Sequence, residues 1–433
     1  MKVLLINPNF RGSKFPYDVN IRLRQPLDLA YLSAILEKKE IDNEILDANV
    51  LNLSQGEVLD KINEFSPSHI VLTTSPLDRW ECPQIDIGMV FSLIKKINPA
   101  IELIICGTHG SVSPEWVRTK AGRKVACIIK GEPEKPIAEF FEGRVIKHEY
   151  NIYQNLDEIP MPNFKKLPMH LYEYGGLDLP KPFSILLSSR GCPFQCTFCL
   201  REMFKGYRVH SPERVVEEMK YLRDNYSIRS IFFQDWEFLL DKKRAERIGE
   251  LMRENNLYVD FGFNARAQDL NFELIKKLQA VGLKRINLGL ESASDKILQV
   301  IKKGITRDDL ANSLELAQKT GIKIGYYGIA NLPLEDIGTI KETAKFVAQN
   351  DIEFGFGVLR IYPGTKIAQD QNVTWENMAG RTGKISARIY PMLAVLLYKF
   401  FIHYYRDGLF FILKPSNFKK APLFLGKLLK KLT

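Results

Sequence analysis

Three of the chain's six cysteines, Cys192, Cys196 and Cys199, fall within eight residues of each other in the segment SSRGCPFQCTFCL. Thiolates are soft ligands, and clusters of them hold iron–sulfur centres or zinc. A structural zinc site takes four ligands. No fourth cysteine lies near, and His210, the only nearby histidine, stands at the entry of a helix rather than at a zinc-ligand spacing. Three thiolates on a four-iron cube leave one iron without a protein ligand, and an open iron is a site for a substrate or cofactor. A zinc knuckle or a chance group of thiols is the alternative. Cys82, Cys106 and Cys127 are widely spaced. They read as buried small hydrophobes, not as a disulfide framework.

The surrounding pattern must place those thiols. At 433 residues and 45% apolar content the chain has material for two or three domains with proper cores. Over the first 140 residues the runs KVLLIN, SHIVLTT, IELIICG and VACIIKG read as strands, with helical periodicity in LAYLSAILEKK and GMVFSLIKKI between them. The alternation predicts a doubly wound, Rossmann-like parallel sheet over residues 1–145. Such sheets bind ligands at the carboxyl ends of their strands, where TTSPLDRW, GTHGSVSPE and GEPE fall. The proline-bearing NLDEIPMPNF marks a connector over 146–180. From Phe183 six further strands are expected, in FSILLSS, IRSIFFQ, YVDFGFN, KRINLGL, IKIGYYGIA and FGFGVLRIY, the first five each followed by a helix. Six such units over 181–370 form an open partial (β/α)6 barrel rather than a closed eightfold one. Ser211 and Pro212 suit the N-cap and first turn of the first of these helices.

Of the formal charge of +10, +8 resides in the C-terminal tail, where Arg388, Lys399, Arg406, Lys414, Lys419, Lys420, Lys427, Lys430 and Lys431 face Asp407 alone. That distribution argues against nucleic acid as a partner. The apolar run from Ile389 to Tyr405 is interrupted by Lys399 and His403. It falls short of the roughly 20 clean residues that a spanning helix needs. A helical tail over 371–433 lying on an anionic membrane surface is expected, against the plainer reading of a helical layer capping the barrel with solvated lysines. The N-terminal MKVLLINPNF reads as a first strand, not a signal peptide, which places the chain in the cytoplasm, peripherally associated with the membrane.

CPFQCTFC has the CxxxCxxC spacing, with Phe198 before the last cysteine, and it follows the first strand of the expected barrel. In this it resembles the radical S-adenosylmethionine (SAM) enzymes. The resemblance implies that the three cysteines hold a 4Fe-4S cluster and that SAM chelates the open iron. An electron then splits SAM into methionine and a 5′-deoxyadenosyl radical. It further implies SAM contacts from Phe198, from Asp235 in IFFQDWEF for the amino group, from Arg266 in FNARAQ for the carboxylate, and from Glu291 with Ser292 in NLGLESASDKIL for the ribose. Pro363 and Gly364 of RIYPGT match the segment ending the sixth strand. GIANLPLED departs from the family's GLPGE-like turn, with Asn331 and Leu334 where glycines are common.

RQPLDLAYLSAIL, CGTHGSVSPE, CIIKGEPE and NLDEIPMPNF resemble, in order, the cobalamin-binding domain and connector of the class B radical SAM enzymes. Ser75, Gly107, His109 and Gly131 are the loop residues the resemblance places against cobalamin. Gly107 and Val112 break the DxHxxG motif, so cobalamin would lack a histidine lower ligand. Asp28 and Pro133 are further departures, standing where glycines are usual. The resemblance implies methylation at an unactivated carbon. An unactivated C–H bond offers no proton that a base could remove. It implies as an alternative a cyclase or carbon–carbon coupling of the same family; a radical SAM enzyme without cobalamin and, from a different class, a non-catalytic membrane-recruited protein that kept the fold are the competing readings. Expected partners are a small-molecule or lipid substrate, an isoprenoid for example, and an electron donor such as flavodoxin or ferredoxin.

Overall fold

The computed structural model describes residues 1–11, 23–77, 82–144, 151–173, 177–378 and 385–407, with the side chains of 385–392 and 407 left aside. The N-terminal sheet contains β1 (Lys2–Asn7), β2 (Asp42–Asp47), β3 (His69–Thr73), β4 (Glu102–Cys106) and β5 (Cys127–Ile128), all parallel, in the order β2-β1-β3-β4-β5. Helices Leu27–Lys38, Gln55–Phe65, Gly88–Lys96, Pro114–Ala121 and Glu134–Phe140 join the strands and cover the sheet. Central strands β1, β3 and β4 are apolar on both faces and buried, as a sheet covered on two sides requires. β2, DNEILD, lies at an edge and four of its six residues are polar, so its sequence did not announce a strand. β5 is two residues long, although VACIIKG suggested more.

A short antiparallel pair, β7 (Ser189–Arg190) and β8 (Arg208–Val209), brackets the cysteine segment. The second large sheet is six-stranded and wholly parallel. It contains β6 (Phe183–Leu186), β9 (Ser230–Phe233), β10 (Asp260–Ala265), β11 (Leu283–Glu291), β12 (Lys323–Ala330) and β13 (Phe354–Val358), in the order β13-β12-β11-β10-β9-β6. Each neighbour in this order also follows in sequence, so the sheet winds one way like a barrel. β13 and β6 remain unpaired with each other, so it is open. Helix Pro212–Tyr226 starts at Ser211, whose hydroxyl accepts from Arg214 N at 3.2 Å, and it buries Val215, Val216, Met219 and Leu222 against the strands. Four such side chains contribute on the order of 8 kcal/mol of gross transfer energy.

Helix Ile385–Asp407 lies along helix Ile337–Gln349. Ala394 and Tyr398 are buried with Ala330, Ile340 and Ala344, and Tyr398 donates to Glu335 Oε2 at 2.9 Å. Its outer side exposes Leu393, Phe400 and Tyr404, each about 40% accessible. This helix carries the apolar run that suggested membrane contact. No helix among the described residues is long and apolar enough to cross a membrane. Residues 408–433, with most of the tail lysines, lie outside the described residues. Cys106 and Cys127 are buried as expected, but Cys82 is exposed. It sits in the polar loop after β3, where no apolar periodicity draws it inward.

Candidate functional site

The cysteine loop starts two residues beyond the foot of β7 and returns through β8. Cys192, Cys196 and Cys199 are half-buried and none is in a disulfide. Two backbone bonds moor the middle of the loop: Thr197 N donates to Ile301 O at 2.9 Å, and Thr197 O accepts from Ile367 N at 3.1 Å. Cys199 N donates to Cys196 O at 3.2 Å. Burial pushes the Cys192 thiol up, with the Cys196 sulfur and the Glu237 carboxylate adding to it. No three His, Cys, Asp or Glu side chains among the described residues converge as a site for one ion. A four-iron cube is held at its corners, so its thiolates are spread apart.

The ends of β9, β10 and β11 supply charged groups to the same region. Arg266, beyond β10, lays its guanidinium 3.4 Å from the centre of the Phe194 ring and donates through Nη2 to Lys303 O. Its Nε and Nη1 are buried and unpartnered. Glu237, beyond β9, accepts from Leu239 N at 3.2 Å, while Oε2 is buried and unpartnered. Burial, reinforced by the Asp269 charge, raises the Glu237 carboxyl to about 8. Glu291 ends β11 at φ 55°, in the left-handed region, and accepts from Lys303 Nζ at 2.7 Å. A methyl on Gly289 would lie 2.3 Å from Glu291 Oε1 and 2.6 Å from Lys303 Nζ, so a side chain there would displace the ion pair.

Cys192, Cys196, Cys199, Phe198, Arg266 and Glu291 are thus gathered around one loop. Asp235 and Ser292 are wholly buried, with their oxygens engaged elsewhere. Asp235 accepts from Ser188 N at 2.7 Å and from the Ser188 and Ser189 hydroxyls at 2.6 Å each, which ties the end of β9 to the end of β6. Ser292 Oγ meets Thr343 Oγ1 at 3.0 Å and accepts from Ser294 N. Sequence reasoning missed Glu237 and Lys303. Glu237 stands two residues beyond Asp235 in the quoted IFFQDWEF, and alternation alone could have offered it. Lys303, in an irregular loop, gave no signal.

The donor set fits the cofactors that the sequence implied. Three thiols come from one moored loop. A guanidinium with unpartnered N–H groups and a carboxyl with an unpartnered oxygen complement the carboxylate and ammonium of an amino acid, the ammonium favouring the ionised carboxyl.

A second group lies at the carboxyl end of the N-terminal sheet. Thr74 N donates to Cys106 O at 2.9 Å, holding the loop of Ser75 against that of Gly107. Ser111 Oγ donates to Gly107 O at 2.9 Å and accepts from Gly131 N at 2.8 Å, so Ser75, Gly107 and Gly131 form one rim. Gly107 has φ 99° and Gly131 φ 74°. His109 is fully buried. Its Nε2 lies 2.9 Å from Gln84 O and its ring is 4.3 Å from that of Trp375, centre to centre. Burial pushes this imidazole down to about 4, so it is neutral. Trp375 belongs to a cluster with Leu200 and Tyr362 from the barrel side and Val112 and Trp116 from the N-terminal side, which joins the two rims.

Residues 186–347 match the radical SAM superfamily. The chain is 31% identical to an uncharacterized methyltransferase of Pyrococcus horikoshii over 79% of its own length and 77% of the relative's. It is 25% identical to the anaerobic magnesium-protoporphyrin IX monomethyl ester cyclase of Rubrivivax gelatinosus, over 80% of the chain and 65% of that protein. The solved cobalamin-dependent SAM radical enzyme OxsB, with aqua-cobalamin bound, superposes with a TM-score of 0.67 at 18% identity, covering 86% of this chain and 62% of that one. The chain belongs to the radical SAM enzymes, whose cofactors are a 4Fe-4S cluster and SAM. Its N-terminal Rossmann-like sheet and its barrel share the fold of that cobalamin-dependent enzyme.

Proposed function

We propose that the chain is a cobalamin-dependent radical SAM C-methyltransferase acting on an unactivated carbon. The observation that carries this reading is the joining of the two rims, the moored cysteine loop and the Ser75–Gly107–Gly131 loops, by the Leu200–Tyr362–Trp375 cluster. When bound, the cluster and SAM supply a carbon radical that abstracts hydrogen, and cobalamin supplies the methyl group. The protein binds, orients and excludes water. Cys192, Cys196 and Cys199 hold the cluster. Arg266 offers its free N–H groups to the SAM carboxylate. Glu237, with an oxygen to spare, is better placed for the amino group than Asp235, whose oxygens serve Ser188 and Ser189. Glu291, steadied by Lys303, faces the ribose. Ser75, Gly107 and Gly131 admit cobalamin to the backbone, and His109 serves as a packing residue beneath it. Residues 1–145, 146–180, 181–370 and 371–433 serve as cofactor domain, connector, barrel and tail.

The deciding experiment is anaerobic reconstitution with iron, sulfide and hydroxocobalamin, desalting, and measurement of iron and cobalt per chain. About four irons and one cobalt are expected from a single cube and a single corrinoid. Iron without cobalt overturns the methyl-transfer reading. Triple replacement of the cysteines by alanine should abolish both iron binding and 5′-deoxyadenosine formation.

The cyclase relative favours a second reading, in which the same radical couples carbons within the substrate. Products carrying no added methyl group from labelled SAM would select it. The exposed Leu393, Phe400 and Tyr404 of helix Ile385–Asp407, continued by the lysine-rich tail, support peripheral membrane contact and a lipid-like substrate. Deletion beyond Ile385 should abolish flotation with anionic liposomes; unchanged flotation would sink the membrane reading.

A further inference from the structure

The GEPE segment that follows β5 is larger than cofactor contact explains. Gly131 belongs to the rim of the N-terminal sheet, but Glu132 and Glu134 reach into the barrel. Arg190, at the end of β7 and only 1% exposed, donates through Nη1 to Glu132 Oε2 and through Nη2 to Glu134 Oε1, both at 2.7 Å. Arg208, on the paired strand β8, donates to both oxygens of Glu132, through Nη1 at 3.2 Å and through Nη2 to Oε1. Glu132 therefore spans both strands that bracket the cysteine loop. Tyr31, from helix Leu27–Lys38, lays its ring 5.2 Å from the Arg190 guanidinium. Two cations and two carboxylates, all buried, balance each other across the two sheets. A buried charge that loses its partner is costly, so the four hold one arrangement.

The foot of the loop is stiff. Gly191, between Arg190 and Cys192, has φ 81°, and a methyl there would lie 1.9 Å from Gly206 O. The strand ends pass too closely for Arg190 to move without carrying Cys192.

We propose that Arg190 is a positioning residue that, through Glu132 and Glu134, sets the cysteine loop against the Gly131 loop, so that the cluster and cobalamin sites are built as one unit. This rests on the cobalamin reading above. A lysine at 190 keeps the charge but cannot fork between two carboxylates. Glu134→Gln keeps the shape but removes one charged bond.

The test uses full-length, reconstituted wild type, Glu134→Gln and Arg190→Lys. For each, the electron paramagnetic resonance spectrum of the reduced cluster is recorded with SAM, with and without hydroxocobalamin, and cobalamin affinity is taken from its absorbance. In wild type, cobalamin should alter the spectrum. In both variants, with full iron and unchanged circular dichroism, that alteration should vanish and affinity should fall about tenfold, the factor matching one lost charged hydrogen bond. A merely structural pair would leave the spectral response intact. Full response and unchanged affinity in the variants overturn the proposal. If Glu134→Gln does not fold, Arg190→Lys decides alone. A wild type that takes up no cobalamin refutes the methyl-transfer reading; the proposal then falls if the variants' cluster spectra with SAM match wild type.

Discussion

Replacing Gly107 by alanine tests the rim of the N-terminal sheet. The backbone there has φ 99° and ψ −179°, a region that only glycine populates freely. Occupying it with a side chain costs roughly 1–3 kcal/mol. The added methyl would also lie 2.8 Å from Ser75 N, 2.9 Å from Thr74 Oγ1 and 3.0 Å from Ser75 O. Relief requires the end of β3 to draw away from β4, at the expense of the Thr74 N to Cys106 O bond, worth about 1 kcal/mol. Together the effects destabilise by roughly 3 kcal/mol. In a unit of this size that corresponds to a fall in Tm of about 6–12 °C. Gly143→Ala is the control: φ is 77°, but nothing lies within 4 Å of its added methyl. Conformation alone should cost it about 1–2 kcal/mol. Differential scanning calorimetry of the two variants, with hydroxocobalamin titrations, separates conformation from crowding. Equal melting of Gly107→Ala and Gly143→Ala would refute the close approach of the two loops.

Asp235→Asn should lower stability by roughly 2–3 kcal/mol in chemical denaturation, because an amide cannot accept all three serine bonds, while SAM affinity stays unchanged. Retained stability with lost SAM binding would instead make Asp235 a SAM-contacting residue. Burial raises the Glu218 carboxyl to about 7 from 4.5, against the pull of Arg214. Between those pH values the folded chain keeps a proton that the unfolded chain has released, so stability falls as pH rises through the window, by up to about 3 kcal/mol. Glu218→Gln should flatten that slope in denaturation at pH 5 and pH 8, and an unaltered slope would assign it to other groups. Leu334 stands exposed at φ 60°. Leu334→Gly should stabilise the turn by about 0.5–1 kcal/mol, and a loss in thermal unfolding would contradict the strain.

The two large sheets were legible because strands alternate with helices along the chain, the central strands of the first are continuous apolar runs, and helices carry clear starts, as at Ser211 and Pro212. Edge strand β2 was not, since DNEILD has neither the run nor a clean apolar alternation. The cysteine spacing pointed to the loop directly, whereas the charges around it depend on pairings distant in sequence. Asp235 illustrates the difficulty: an acid at a strand end suggests a ligand contact, and only the neighbouring β6 shows that two serine hydroxyls take its oxygens. Lys303 belongs to an irregular segment, where spacing says nothing about direction, and for Glu237 only the two-residue step from Asp235 offered a hint. At Asn331 and Leu334 the sequence lacks the glycines of the related turn, yet both residues adopt φ near 60°, so the backbone path persists without them. The exposure of Cys82 was unreadable because a lone cysteine in a loop has no period to place it.

The ring of Trp375 on His109 has a consequence for how the protein is made. The wall that Trp375, Tyr362 and Leu200 complete around Val112 and Trp116 comes from chain synthesised long after the N-terminal sheet. At ordinary elongation rates, the 250 or so residues between β5 and Trp375 take roughly 10–50 s to emerge. Throughout that interval a newly folded N-terminal sheet presents an apolar side to the ribosome surface and to chaperones. Any corrinoid that reached the rim then would meet an unfinished chamber. On the cobalamin reading proposed above, a truncated nascent chain ending before Tyr362 should retain cobalamin poorly however well its own sheet has folded.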